Sequence, residues 1–142
     1  MNTVQVRLGT NNYACTVTDG DHQWVIDEPV DKGGSNTGHD PYAALLASLG
    51  SCTAITLKMY AARKGWDLRS VTVDTTLVSD TVADRRTTTF SRSIEVSGRL
   101  NEAQLQRLQQ IARACPISKI LEGSIHIETQ IKNGADDHSA GR

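Results

Sequence analysis

Asp40-Pro41-Tyr42-Ala43-Ala44-Leu45-Leu46-Ala47-Ser48-Leu49-Gly50-Ser51-Cys52-Thr53-Ala54 opens a stretch that runs on to Gly65 and reads as one long helix. Asp40 is a good N-cap, and Pro41 suits the first helical position, where its missing N–H costs nothing. Tyr42, Leu45, Leu46, Leu49, Cys52, Thr53, Thr56, Met59 and Tyr60 recur at steps of three and four and so share one face. Ala43, Ala44, Ala47 and Ser48 keep the opposite face small, so the first half can be packed nearly all round. Lys58, Arg63 and Lys64 place positive charge toward the end that the helix dipole makes negative. At about 1.5 Å per residue such a helix reaches about 37 Å. A compact chain of this size has a radius of gyration of only about 14–15 Å, so one small sheet cannot cover it. Homodimerisation is the expected source of the remaining cover.

Strands lie on either side. Val4 to Leu8, Tyr13 to Thr18 and His22 to Asp27 read as three strands, the last two joined at the hairpin signal Asp19-Gly20. The glycine-bearing connector Asp31 to Gly38 has loop composition and lacks phosphate-loop spacing. Past the helix, Val71, Val73, Thr75 and Leu77 alternate, as do Phe90, Ile94 and Val96, which predicts an antiparallel hairpin. Its polar turn, Ser79 to Arg86, and the charges from Asp80 and Asp84 to Arg92 read as solvated. Asn101 with Gln104 forms a capping-box pattern for a second helix carrying Leu105, Leu108, Ala112 and Cys115. Pro116 interrupts it, Ile117 to Leu121 reads as a short further helix ended by Gly123, and Ile125, Ile127, Thr129 and Ile131 predict a last strand. The order β-β-β-α-β-β-α-β predicts an α+β fold with mainly antiparallel pairing.

The 142 residues carry 15 Lys+Arg against 16 Asp+Glu, a formal charge of −1, which argues against a dedicated nucleic-acid binder. The length fits a single domain over 1–142, with 133–142 as a polar, frayed tail. No run approaches eighteen consecutive apolar residues, and Met1 to Thr10 lacks a signal-peptide core; no membrane partner is expected and the location reads as cytoplasmic. In that compartment three cysteines are not a disulfide framework. His22, His39, His126 and His138 are scattered without ligand spacing, so neither a metal nor another cofactor is expected.

The cysteines differ in setting. Cys15, in a strand pattern, reads as structural. Cys52 lies mid-helix among small neighbours, either as a small core hydrophobe or as a thiol with room beside it. Gly50 costs that helix about 1 kcal/mol relative to Ala, which suggests a close approach to its backbone. Cys115 precedes Pro116 and is either the cap of a new helix, where N–H groups favour thiolate, or the last core residue at a kink.

The Asp40–Ala54 stretch resembles the central-helix motif of the OsmC/Ohr superfamily, the osmotically inducible and organic hydroperoxide resistance proteins. Ala114-Cys115-Pro116-Ile117-Ser118-Lys119-Ile120-Leu121 resembles their second cysteine motif. Lys58-Met59-Tyr60-Ala61-Ala62-Arg63-Lys64-Gly65-Trp66 is like the general OsmC-like branch rather than Ohr proper. The resemblance runs over about Val4 to Ile131. It implies an intertwined homodimer with curved antiparallel sheets around a long helix, and a thiol-dependent peroxidase of oxidative-stress defence acting on organic or inorganic hydroperoxides. Cys52 would be the peroxidatic thiolate and become a sulfenic acid; Cys115 would resolve it to a disulfide, which an external dithiol or thiol reduces.

The chain departs from the family in the activating residues. Peroxidase members use an Arg to activate the first thiol and a Glu near the start of the central helix to hold that Arg. Here the helix begins Pro41-Tyr42-Ala43-Ala44, and no Arg lies between Leu8 and Ala62. Lys32 is the cation that would stand in, without the bidentate fork of a guanidinium. The alternative function is therefore a non-catalytic OsmC-like ligand-binding or redox-sensing protein.

Overall fold

The computed structural model describes residues 3–79 and 88–134. The expected polar turn, with Asp80 and Asp84, lies outside the described residues beyond Ser79, as does the expected tail from residue 135. The elements are β1 (Gln5–Leu8), β2 (Cys15–Thr18), β3 (Gln23–Ile26), α1 (Pro41–Lys64), β4 (Asp67–Ser79), β5 (Thr88–Arg99), α2 (Glu102–Ala112) and α3 (Pro116–Glu122). Both sheets are antiparallel, one ordered β1-β2-β3 and the other β4-β5, so the architecture is α+β as predicted.

The chain divides into two compact units. One holds the residues up to Ala44 and those from Ile127 onward; the other runs from Leu45 to His126. In the first, the β2–β3 turn closes at Asp19, whose carboxylate accepts the His22 N–H at 3.0 Å. Asp27, 1% exposed, gathers the connector around its carboxylate. It accepts N–H groups of Tyr13, Glu28, Ser35 and Thr37 at 2.8–3.3 Å and the Thr37 hydroxyl at 2.6 Å. The Thr37 hydroxyl and N–H, aided by Glu28 and Tyr13 against the cost of burial, hold its pKa at about 2. The loop that reads as a connector is thus ordered by one buried acid. The His39 backbone carbonyl accepts the Asp27 N–H at 3.1 Å.

α1 has the expected limits. Asp40 caps it, accepting the Ala43 N–H at 2.8 Å, and Gly65, at φ 68°, ends it in the left-handed conformation. The 24-residue helix is long and apolar enough on average to cross a membrane by length and composition alone, although no run in it is continuously apolar. Its alanines and leucines raise the mean while small polar residues break the run. Its buried residues are Leu49, Gly50, Thr53, Leu57 and Ala61. Leu57 and Ala61 join Leu68, Leu108 and Ala112 in the core of the second unit, walled by Tyr60, Trp66, Val71, Ile94 and Val96. Full burial of one such leucine contributes about 1.5–3 kcal/mol. The Thr75 hydroxyl on β4 donates to the Leu46 carbonyl at 3.0 Å and pins the helix to that strand.

β4 and β5 are longer than their alternating cores predict, with pairing from Asp67↔Arg99 to Ser79↔Thr88 and an irregularity between Leu68 and Ser70. Gly98 makes that irregularity possible: its φ is 135°, and a Cβ there would lie 1.8 Å from the Asp67 carbonyl oxygen. The capping box of α2 forms as the sequence predicts, with Asn101 and Gln104 exchanging hydrogen bonds at 2.8 and 2.9 Å. The last strand does not form. Residues 124–134 join no ladder, and Ile127 and Ile131 are 79% and 98% exposed. The alternation is present, but these residues pair with no strand among the described residues.

Candidate active site

Cys52 and Cys115 both lie in the second unit, on α1 and at the start of α3. Both thiols are free; Cys52 is half-buried and Cys115 is 0% exposed. The Cys52 side chain is among the neighbours that act on the Cys115 thiol. Cys115 satisfies both sequence readings at once. It is a core residue at the end of the α2 stripe, and it is the N-cap of α3, its Sγ accepting the Ser118 N–H at 3.3 Å. Cys15, on β2, belongs to the other unit and is half-buried.

A cation stands beside the pair. Arg92, on β5, donates from Nη1 to Thr53 Oγ1 at 3.0 Å and to the Ala112 carbonyl at 3.1 Å. The same nitrogen is 4.0 Å from Cys115 Sγ. Nη2 donates to Ser118 Oγ at 3.1 Å, and Ser118 Oγ in turn donates to Glu122 Oε1 at 3.1 Å. This corrects one sequence expectation: Arg92 is not part of a solvated turn but stands beside Cys115, with Glu122 behind Ser118. The signal was available: Arg92 is in phase with the inward positions Phe90, Ile94 and Val96, and an arginine there faces the interior. Thr53, Ser118 and Glu122 carried no comparable signal. Lys32 sits in a single 3-10 turn, Val30–Lys32, in the other unit.

The electrostatics favour an anion at Cys115. Burial pushes its pKa up, but the Ser118 N–H, the Thr53 hydroxyl, the Cys52 thiol and the Arg92 charge together outweigh burial and bring it below the ordinary thiol value. The contributions are unequal in kind. Thr53 has one hydroxyl proton and two acceptors, the Leu49 carbonyl at 2.7 Å and Cys115 Sγ at 3.7 Å. The nearer carbonyl holds it in the resting state, so the fixed Ser118 N–H and the guanidinium are the permanent donors to the sulfur.

A cleft of about 800 Å³ reaches the Arg92, Ser118 and Glu122 side of this cluster, with Leu45, Leu49, Phe90, Leu121 and Ile125 as apolar walls; neither cysteine lines it. An apolar cleft ending in a few convergent polar groups is the usual form of a small-molecule site.

Residues 33–130 match the family model described as OsmC-like protein. The chain belongs to the OsmC-like protein family. Comparison with curated protein sequences gives no match. Solved structures share the fold. The OsmC-like protein of Mycoplasma pneumoniae aligns with TM-score 0.72 at 18% identity, covering 87% of this chain and 88% of that one. A putative osmotic stress induced and detoxification response protein from Psychrobacter arcticus aligns with TM-score 0.69 at 23% identity, covering 84% and 87%. The organic hydroperoxide resistance protein OhrB of Bacillus subtilis aligns with TM-score 0.60 at 23% identity, covering 87% and 91%. At these identities the likeness is one of fold, so for this OsmC-like chain the chemistry rests on its own site residues.

Proposed function

We propose that this OsmC-like protein is a thiol-dependent peroxidase that reduces hydroperoxides in the cytoplasm and works as a homodimer. The observation that carries the reading is the half-buried Cys52 thiol as a neighbour of the fully buried Cys115, whose sulfur faces the Ser118 N–H and the Arg92 guanidinium. Cys52 is the sulfur that a peroxide can approach. Its sulfur attacks one oxygen of the O–O bond, the bond breaks, and the Cys52 proton passes by way of Cys115 to the departing alkoxide. The products are Cys52 sulfenic acid and an alcohol, or water from hydrogen peroxide. Cys115 then attacks the sulfenic sulfur, the hydroxyl leaves as water, and a Cys52–Cys115 disulfide remains for an external thiol to reduce. The apolar cleft favours organic hydroperoxides, whose hydrocarbon part gains by leaving water.

The ligand-binding or redox-sensing alternative was motivated by a missing cation at Cys52; Arg92 supplies its charge at Cys115, and the alternative predicts no peroxide turnover. The dimer is supported by the apolar side chains that α1 leaves exposed, including Ile55 at 58% and Met59 at 63%. Steady-state consumption of cumene hydroperoxide with dithiothreitol tests the activity. Wild type should turn over, C52S should be inactive, and C115S should lose disulfide formation and drift to sulfinic acid at Cys52. A wild type that consumes no peroxide overturns the reading.

A further inference from the structure

The two sulfurs differ in a way that bears on the return half of the cycle. Cys115 is 0% exposed and surrounded by the Ser118 N–H, Thr53, and Arg92, while Cys52 is half-buried. Thiol–disulfide exchange is in-line displacement at sulfur: the attacking thiolate needs access to one sulfur, and the other must leave as an anion. Access favours attack at Cys52. Anion stabilisation favours departure of Cys115.

We propose that the Cys52–Cys115 disulfide is opened in one direction only, by attack of the reducing thiolate on Cys52, with Cys115 leaving as a thiolate held by Arg92. The incoming sulfur forms a bond to Cys52, the Cys52–Cys115 bond breaks, and its electron pair stays on Cys115. A second reductant thiol then displaces Cys52 from the mixed disulfide, Cys52 takes up one proton, the reductant is oxidised to its own disulfide, and the other proton passes to solvent while Cys115 stays a thiolate. Arg92 is in this scheme a positioning residue for the return half-reaction, acting through Cys115 rather than on the reductant. Thr53 Oγ1, the Ala112 carbonyl and Ser118 Oγ fix its guanidinium, with Glu122 behind Ser118. The bound anion also gives Thr53 reason to turn its proton from the Leu49 carbonyl to the sulfur as the charge develops. Cys115 thus resolves the sulfenic acid in one half-reaction and is the leaving group in the other.

The proposal rests on the reading of Cys52 and Cys115 as a redox pair, and it does not depend on peroxide as the oxidant. The test therefore uses wild-type protein oxidised with diamide, then exposed briefly to excess reduced glutathione and quenched with N-ethylmaleimide in denaturant. Peptide mapping should place glutathione on Cys52 and maleimide on Cys115. Glutathione on Cys115, or equally on both, overturns the proposal, as does failure of diamide to link the two cysteines. Failure of peroxidase activity alone would leave this result standing and so is distinguishable. In Arg92→Gln the opening should slow several-fold and the thiolate titration of Cys115 should move to higher pH. Arg92→Lys should restore part of both, because a point charge remains. A variant that opens at the wild-type rate with an unchanged titration contradicts the role given to Arg92.

Discussion

Arg92 decides the character of the site because a guanidinium offers several donors in fixed directions and uses them on groups that surround one sulfur. Removing Thr53 Oγ1 by Thr53→Val takes away one of its acceptors and should cost about 1–3 kcal/mol, the usual penalty for leaving a donor unpaired, readable by urea denaturation. The same variant should raise the Cys115 titration midpoint less than Arg92→Gln does, since the charge stays. Asp27 is the other residue whose neighbours define it. Its folded pKa of about 2 lies below the ordinary 3.8, so its contribution to stability is complete above about 4 and is lost as pH falls toward 2. Asp27→Asn should lower the thermal midpoint at neutral pH and flatten its fall between pH 4 and 2, as followed by circular dichroism. At this scale the sequence was unevenly legible. The two cysteines announce themselves by chemistry and motif, and Asn101, Asp40 and Gly65 by local hydrogen bonding. Arg92 does not, because its meaning depends on which way a strand position faces and on a helix end more than twenty residues later.

The elements were legible where their signals are local. α1, α2 and α3 begin at caps that the sequence names, since the N–H groups at a helix start are satisfied by residues a few positions away. The β4–β5 hairpin extends beyond its apolar alternation because ladder hydrogen bonds continue through polar pairs such as Asp74↔Ser93. Residues 124–134 show the opposite case: a strand is a relation between two segments, and alternation supplies only one of them. Gly50 reads as a site of close approach, and β4 does approach it, but a Cβ there would meet Thr75 Cγ2 at 3.5 Å, an ordinary contact. Gly50→Ala should therefore fit and stabilise α1 by up to about 1 kcal/mol in chemical denaturation. Gly98→Ala should do the reverse, since it needs a positive φ and collides with the Asp67 carbonyl. A stable, hairpin-intact Gly98→Ala protein would contradict the described register.

For the whole molecule, a near-neutral chain with a long apolar helix poses a problem of cover rather than of charge. The exposed Ile55 and Met59 on α1 are the side chains a second copy would bury. The double variant Ile55→Glu, Met59→Glu should move the sedimentation coefficient from dimer to monomer, and a monomeric wild type would contradict the dimer. The α+β class, the order of elements as far as α3 and the family were legible because two cysteine motifs and one helix dominate the pattern. The assembly of the redox cluster was not, since it needs α1, β5, α2 and α3 to converge. The central claim is that this convergence makes Cys52 and Cys115 a redox pair driven by peroxide, and peptide mapping after an equimolar addition of cumene hydroperoxide tests it most directly. The account predicts a Cys52–Cys115 disulfide with the peroxide consumed and Cys15 still free; both thiols surviving beside unreacted peroxide would contradict it.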